Sequence, residues 1–185
     1  QVLYTINHAA DDVILVNAEF APLVASIAAK IRPGVKLVLI NDGTTAPDGN
    51  LDFAAEYESM LERASPVFAF PDLDEDTRAT TFYTTGTTGL PKGVYYSHRQ
   101  LVLHTLAVAQ TLAHAPHATF TARDVYMPIT PMFHVHAWGF PYVATMLGVK
   151  QVYPGRYVPD TLLGLIAREG VTFSHCVPTI LQMML

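Results

Sequence analysis

The stretch FYTTGTTGLPKGV, Phe82 to Val94, contains an unbroken run of threonine and glycine from Thr84 to Gly89, followed by Pro91 and Lys92. Glycine in such a run lets backbone N–H groups turn towards an anion with no Cβ in the way. The threonine hydroxyls add donors, and Lys92 adds a cation at the exit. The G-x-x-x-x-G-K-[ST] phosphate loop does not fit. With Gly86 as its first glycine, Pro91 replaces the second and Gly93 replaces the Ser/Thr that would hold magnesium. Strand-like runs flank the stretch, Thr80 to Tyr83 leading in and Val94 to Tyr96 leading out. Spacing alone therefore leaves two readings open: a phosphate cradle, or a glycine-rich hairpin turn with surface threonines.

Outward from the loop, the chain reads as α/β, a parallel sheet layer flanked by helices. Val13 to Val16 is a continuous apolar run, the mark of a strand covered on both faces. Pro22 to Ile31 is helical, with Leu23, Ile27 and Ile31 on one stripe, and Pro33-Gly34 ends it. Val35 to Ile40 is a second strand, closed by Asn41-Asp42-Gly43, so strand, helix and strand form a right-handed parallel crossover. Phe53 to Arg63 reads as a helix capped by Asp52. Downstream, Ser97 and Gln100 form a capping box for a helix from His98 to about Ala113. Asp160 to Glu169 is a helix ended by Gly170, Val171 to Val177 a strand, and Pro178-Thr179 opens a last helix. The expected organisation is a βαβ segment over 1–64, an acidic linker over 65–78 and the loop hairpin over 79–97. A helix with an aromatic motif follows over 98–150, then helix, strand and a truncated helix over 151–185.

The chain has 185 residues, half of them hydrophobic, which is enough for one core and part of another. A net charge of −5 without a Lys/Arg cluster disfavours a nucleic-acid partner. One cysteine, Cys176, leaves no internal disulfide and fits a reducing, cytoplasmic setting, with peripheral membrane association left open. Residues 125–149 lack Asp, Glu, Lys and Arg over a length that can cross a bilayer. Pro128, Pro131 and Pro141, with His134 and His136 between them, break such a span, so no transmembrane segment is expected and the run is read as buried core with a functional wall. The chain opens on Gln1 and closes on the apolar run Ile180 to Leu185 with no helix stop, and reads as a piece of a longer protein. Bare apolar ends favour self-association, which leaves a homo-oligomer open.

The wider string decides between the two readings of the loop. YTTGTTGLPKGV resembles the phosphate-loop signature of the adenylate-forming superfamily, [YF]-T-[ST]-G-[ST]-T-G-x-P-K-G-V, at every position. PMFHVHAWGF, Pro131 to Phe140, resembles the aromatic motif that follows in these enzymes. VKQVYPGRYVPDTLLGLIAREGVTFSHCVPTIL and QVLYTINHAADDVILV are similar to the medium- and long-chain fatty acyl-CoA synthetase branch. The resemblance implies part of a large N-terminal domain, and a two-step reaction with ATP, magnesium and coenzyme A on a carboxylic acid, here a fatty acid. It places Thr84, Thr85, Gly86, Thr87, Thr88, Gly89 and Lys92 on the phosphate loop, with Thr84 also meeting the magnesium. It places His134 beside the reacting carboxylate, Val135 in the same pocket, and Trp138 at a gate to the acyl tunnel. Lys92 and His134 are then the catalytic candidates.

The residues themselves also carry plainer readings. His134 and His136 alternate on what reads as an extended segment, so both face one side, but no third metal ligand is near in sequence. Trp138 suits a core aromatic, and Cys176 a small buried hydrophobe. His98, His104, His114 and His117 read as helix-surface and loop residues. Family members carry further on a Tyr-Gly-Thr-Glu block, a ribose-binding aspartate and a hinge lysine, so this piece alone is expected to be inactive. An aryl-CoA ligase, a carrier-protein adenylation domain and a non-catalytic nucleotide-binding scaffold remain as alternatives.

Overall fold

A computed structural model of the protein describes residues 1–41, 43, 50–84, 89–115 and 119–185. The chain divides into two compact units, residues 1–72 with 83–94, and residues 73–82 with 95–185.

The first unit opens with helix α1 (Val2–Ala9), stopped by Ala10 in the left-handed conformation. Strand β1 (Val13–Asn17), helix α2 (Ala21–Ile27), strand β2 (Lys36–Ile40) and the short β3 (Ala55–Glu56) follow. The three strands form a parallel sheet in the order β1-β2-β3, with Val13 opposite Lys36 and Val38 opposite Ala55. Ile6, Val16, Ala18, Ala21, Val24 and Val38 make its core. The Asn7 amide ties α1 to the chain beyond α2: it donates to the Lys30 carbonyl and accepts from the Arg32 N–H, both at 3.0 Å.

Two expectations need correction here. The run Val13–Val16 is not covered on both faces. Val16 is buried, but Val13 and Leu15, which point the other way, are 52% and 51% exposed. Asp52 does not cap a helix starting at Phe53. Ala55 and Glu56 are drawn into the sheet by pairing with β2, so α3 (Tyr57–Arg63) starts later and is capped by Glu56. The Glu56 carboxylate accepts from the N–H groups of Ser59 (2.8 Å) and Glu58 (3.1 Å), and these bonds hold it below the usual carboxylate range.

Strands β4 (Arg78–Thr84) and β5 (Lys92–Ser97) form a two-stranded ribbon. Their connection, residues 85–91, is too short for the crossover of about a dozen residues that parallel strands need, so the ribbon is antiparallel. At its base, in the second unit, the Arg78 guanidinium lies 4.5 Å over the Tyr95 ring centroid.

In the second unit the capping box is present: Ser97 Oγ accepts from Gln100 N–H, and Gln100 Oε1 accepts from Ser97 N–H. It opens α4 (His98–Ala113). Strand β6 (Val125–Pro128) is central in the parallel order β7-β6-β8, between β7 (Lys150–Gln151) and β8 (Phe173–His175). Successive β6 side chains serve opposite faces. Tyr126 joins Phe120, Val143, Ala144 and Val149, while Met127 joins Ile129, Val152 and Leu162. A strand buried on both faces explains why this part of the chain lacks charge. Helices α6 (Phe140–Leu147), α7 (Pro159–Glu169) and α8 (Pro178–Met184) complete the unit, and among the described residues no helix is long and apolar enough to cross a membrane.

Candidate functional site

The segment expected to be extended after β6 instead winds the wrong way. Val135, His136, Ala137 and Trp138 have φ of 49°, 53°, 49° and 57°, and Gly139 has 78°. With ψ of 44° at His136 and Ala137, this is a single left-handed helical turn, α5 (Val135–Trp138). Each L-residue in that conformation costs about 1–2 kcal/mol, and β-branched Val135 is among the least suited to it. The turn therefore needs support from outside itself.

Three side chains from separate elements supply that support. His136 Nε2 lies 2.9 Å from Thr80 Oγ1 on β4, and its ring meets Phe82 edge-on at 5.2 Å. His104 Nε2 on α4 lies 3.1 Å from the Trp138 carbonyl oxygen. His175 Nε2 on β8 lies 3.0 Å from the Ala137 carbonyl oxygen. A carbonyl can only accept, so in both latter bonds the Nε2 atom carries the hydrogen and donates. Each bond contributes about 0.5–1.5 kcal/mol, comparable to the cost of one left-handed residue. The Tyr126 hydroxyl stands 3.3 Å from the same His175 nitrogen, and burial pushes that phenol well above its ordinary value. Burial also pushes His136 and His175 down from their ordinary values, which favours neutral rings.

The supported turn forms one wall of a cavity of about 200 Å³. Val135 and Trp138 line it from the turn, Leu101 and His104 from α4, and Tyr96 and Tyr142 close it. The volume is below the roughly 300–1,000 Å³ that encloses a whole drug-sized ligand, so the cavity suits an apolar segment of one.

The winding of the turn also changes where the two histidines of the aromatic motif point. They do not share one side of an extended strand, as the sequence suggested. His136 turns inward to Thr80, while His134 is exposed and outside the cavity lining. Among the described residues no group of three His, Cys, Asp or Glu side chains is arranged to hold a metal ion. Val135 and Trp138 do come together on the cavity wall, with Trp138 45% exposed. Burial raises the Cys176 thiol, consistent with a packing role beside the Met127 and Ile129 core.

Of the loop candidates, Thr84 ends β4 and is exposed, while Lys92 starts β5, is exposed, and has no described carboxylate paired with it. Pro91 beside it is buried, which anchors the backbone behind the cation. Gly89 has φ of +140°, and among the described residues an added Cβ there would meet nothing within 4 Å. Thr85, Gly86, Thr87 and Thr88 lie outside the described residues. Thr84, Gly89 and Lys92 belong to the first unit, and His134, Val135 and Trp138 to the second.

Sequence reasoning missed His104 and His175. His104 is exposed, as a helix-surface residue was expected to be, and its only sequence signal is its spacing, three residues after Leu101 and four before Val108. His175 sits in an apolar strand, and nothing local names a carbonyl 38 residues away as its partner.

The model of the AMP-binding enzyme family matches residues 1–185. A medium-chain-fatty-acid–CoA ligase of Ectopseudomonas oleovorans is 39% identical over the whole chain, which covers 33% of that protein. A long-chain-fatty-acid–CoA ligase of Thermus thermophilus is 42% identical over 97% of the chain, covering 31% of it. The fold resembles that of a Mycobacterium tuberculosis fatty acyl CoA synthetase, with a TM-score of 0.76 at 23% identity over 99% of this chain and 32% of that one. The chain thus spans about a third of the length of the curated relatives it matches.

Proposed function

Because the chain belongs to the AMP-binding enzyme family, we propose that the full-length protein is an ATP-dependent, AMP-forming acyl-CoA ligase acting on a fatty acid. The acid's carboxylate attacks the α-phosphate of ATP, the bond to pyrophosphate breaks, and an acyl-adenylate forms. The thiol of coenzyme A then attacks the acyl carbonyl and AMP leaves.

The observation that carries this reading is the pair of loop flanks: exposed Thr84 and Lys92, with Gly89 at φ +140° between them in sequence. An anionic carboxylate approaching a triphosphate is repelled, and donors fixed in place offset that repulsion better than mobile water does. Lys92, placed by buried Pro91, holds the phosphates and stabilises the negative charge that grows on pyrophosphate as it departs. The N–H groups and hydroxyls of residues 84–89 take the remaining oxygens. Magnesium, when bound, neutralises phosphate charge, and the exposed Thr84 hydroxyl is the residue proposed to meet it. His134 donates from its ring to the oxyanion of the reacting acid.

The apolar cavity takes the start of the acyl chain, and Trp138 on its wall gates the rest. Support for a fatty acid comes from the names of the two ligases above and from the apolar character of Leu101, Val135, Trp138 and Tyr142. The single Cys176 suits a reducing compartment, and the proposed site of action is the cytoplasm. The test is carboxylate-dependent ATP–pyrophosphate exchange on the full-length protein with acids of graded chain length. Exchange that follows chain length supports the reading. No exchange with any aliphatic acid overturns it, and exchange without subsequent thioester formation points to a carrier-protein adenylation domain.

A further inference from the structure

His175 is bonded at both its backbone and its side chain to one stretch of the chain. Its carbonyl oxygen accepts from Thr130 N–H at 3.1 Å and from Thr130 Oγ1 at 3.2 Å. Its ring donates to the Ala137 carbonyl at 3.0 Å. One residue of β8 thus grips both ends of the segment 130–137, and His134 and Val135 lie between the two grips. We propose that His175 is a positioning residue of the acyl site, stapling this segment so that the left-handed turn presents Val135 and Trp138 to the cavity. The proposal rests on the acyl-CoA ligase reading above.

The surroundings argue against a packing role alone. The His175 ring lies between Phe140, edge-on at 4.4 Å, Tyr126 at 5.7 Å and Trp138 at 5.5 Å. Any apolar side chain of similar size would fill that space. The imidazole instead leaves its Nδ1 buried with no partner among the described residues. An unsatisfied buried polar atom is destabilising, so its presence is best explained by what the other nitrogen holds. Nε2 holds a carbonyl whose residue has φ of 49° and is fully buried. The ring is also the near neighbour of Trp138, so the staple and the cavity wall are in direct contact.

The role is separable from stability by two variants of equal length. His175→Gln keeps an N–H donor near the position of Nε2. His175→Met fills the same space without a donor. Neither alters the backbone bonds to Thr130. Both are made in the full-length enzyme and assayed for kcat/KM with acetate and with octanoate. The Met variant is expected to lose about tenfold more activity with octanoate than with acetate, the effect of one lost hydrogen bond to a buried acceptor. The Gln variant is expected to recover most of that loss. An unchanged octanoate-to-acetate ratio in the Met variant, or a Gln variant as impaired as Met, overturns the proposal.

If the Met variant does not fold, the wild-type enzyme labelled with 15N-histidine decides. An Nε2–H tautomer at His175 supports the staple, and an Nδ1–H tautomer overturns it. A wild-type protein inactive with every acid refutes the ligase reading instead, while the tautomer still reports on the staple.

Discussion

His104 and Gly139 are in contact that leaves no room for a side chain: a Cβ on Gly139 would stand 2.6 Å from Cδ2 and Nε2 of the His104 ring. The same Nε2 donates to the carbonyl of Trp138, so the ring can swing away only by giving up that hydrogen bond. Gly139 also has φ of +78°, which L-residues avoid. Gly139→Ala is therefore expected to lower stability by about 1–3 kcal/mol, measured by denaturant unfolding. In a double-mutant cycle with His104→Ala, the clash disappears and only the backbone strain remains, so the two losses should be less than additive.

The two half-buried histidines set a pH dependence. His136 and His175 both have folded-state values lowered by burial. The unfolded chain then takes up their protons first as pH falls. Their contribution is fully present above the ordinary histidine value of about 6.5 and is lost as pH falls from there towards the depressed folded values. The melting temperature should fall between pH 7.5 and 5.5, roughly the range where histidine titration dominates over that of carboxylates. His175→Gln should flatten part of that slope. A melting temperature that rises towards pH 5.5 contradicts the assignment of neutral rings.

Lys92→Ala in the full-length enzyme should slow acid-dependent pyrophosphate exchange. One fixed charge aimed at a developing anion in a dry site is worth about 2–4 kcal/mol, or on the order of 10²–10³ in rate. Lys92 is exposed and ends no described ion pair, so the melting temperature should hardly move. Unchanged exchange would remove Lys92 from the mechanism.

Trp138→Ala separates a gate from a core aromatic. Trp138 is 45% exposed and lines the cavity, so truncation opens one wall as well as removing its contact with the His175 ring. Turnover with long acids should change more than turnover with acetate. An equal change for all acids, with a lowered melting temperature, would assign Trp138 to packing.

Much of the architecture was legible because the signals are local. The capping box at Ser97 and Gln100, the Gly170 stop of α7, and the apolar run of β2 each act within a few residues, and each appears within a residue of where the sequence placed it. Asp52 misled because helix caps compete with sheet pairing. Ala55 and Glu56 gain more from Val38 and Leu39 of β2 than from an extra helical turn, and no local pattern records that competition.

Sequence alone determined the family resemblance, because YTTGTTGLPKGV combines glycine freedom, hydroxyls and a cation at fixed spacing, and such a requirement is written in consecutive residues. Only the tertiary structure decided the hand of Val135–Trp138. Local preference opposes a left-handed turn of non-glycine residues, so no reading of PMFHVHAWGF by itself predicts one. Its supports, Thr80, His104 and His175, come from β4, α4 and β8. A conformation held from three separate elements exists only once those elements have packed together, and that is why the turn, and the side of the chain on which each histidine lies, could not be read in advance.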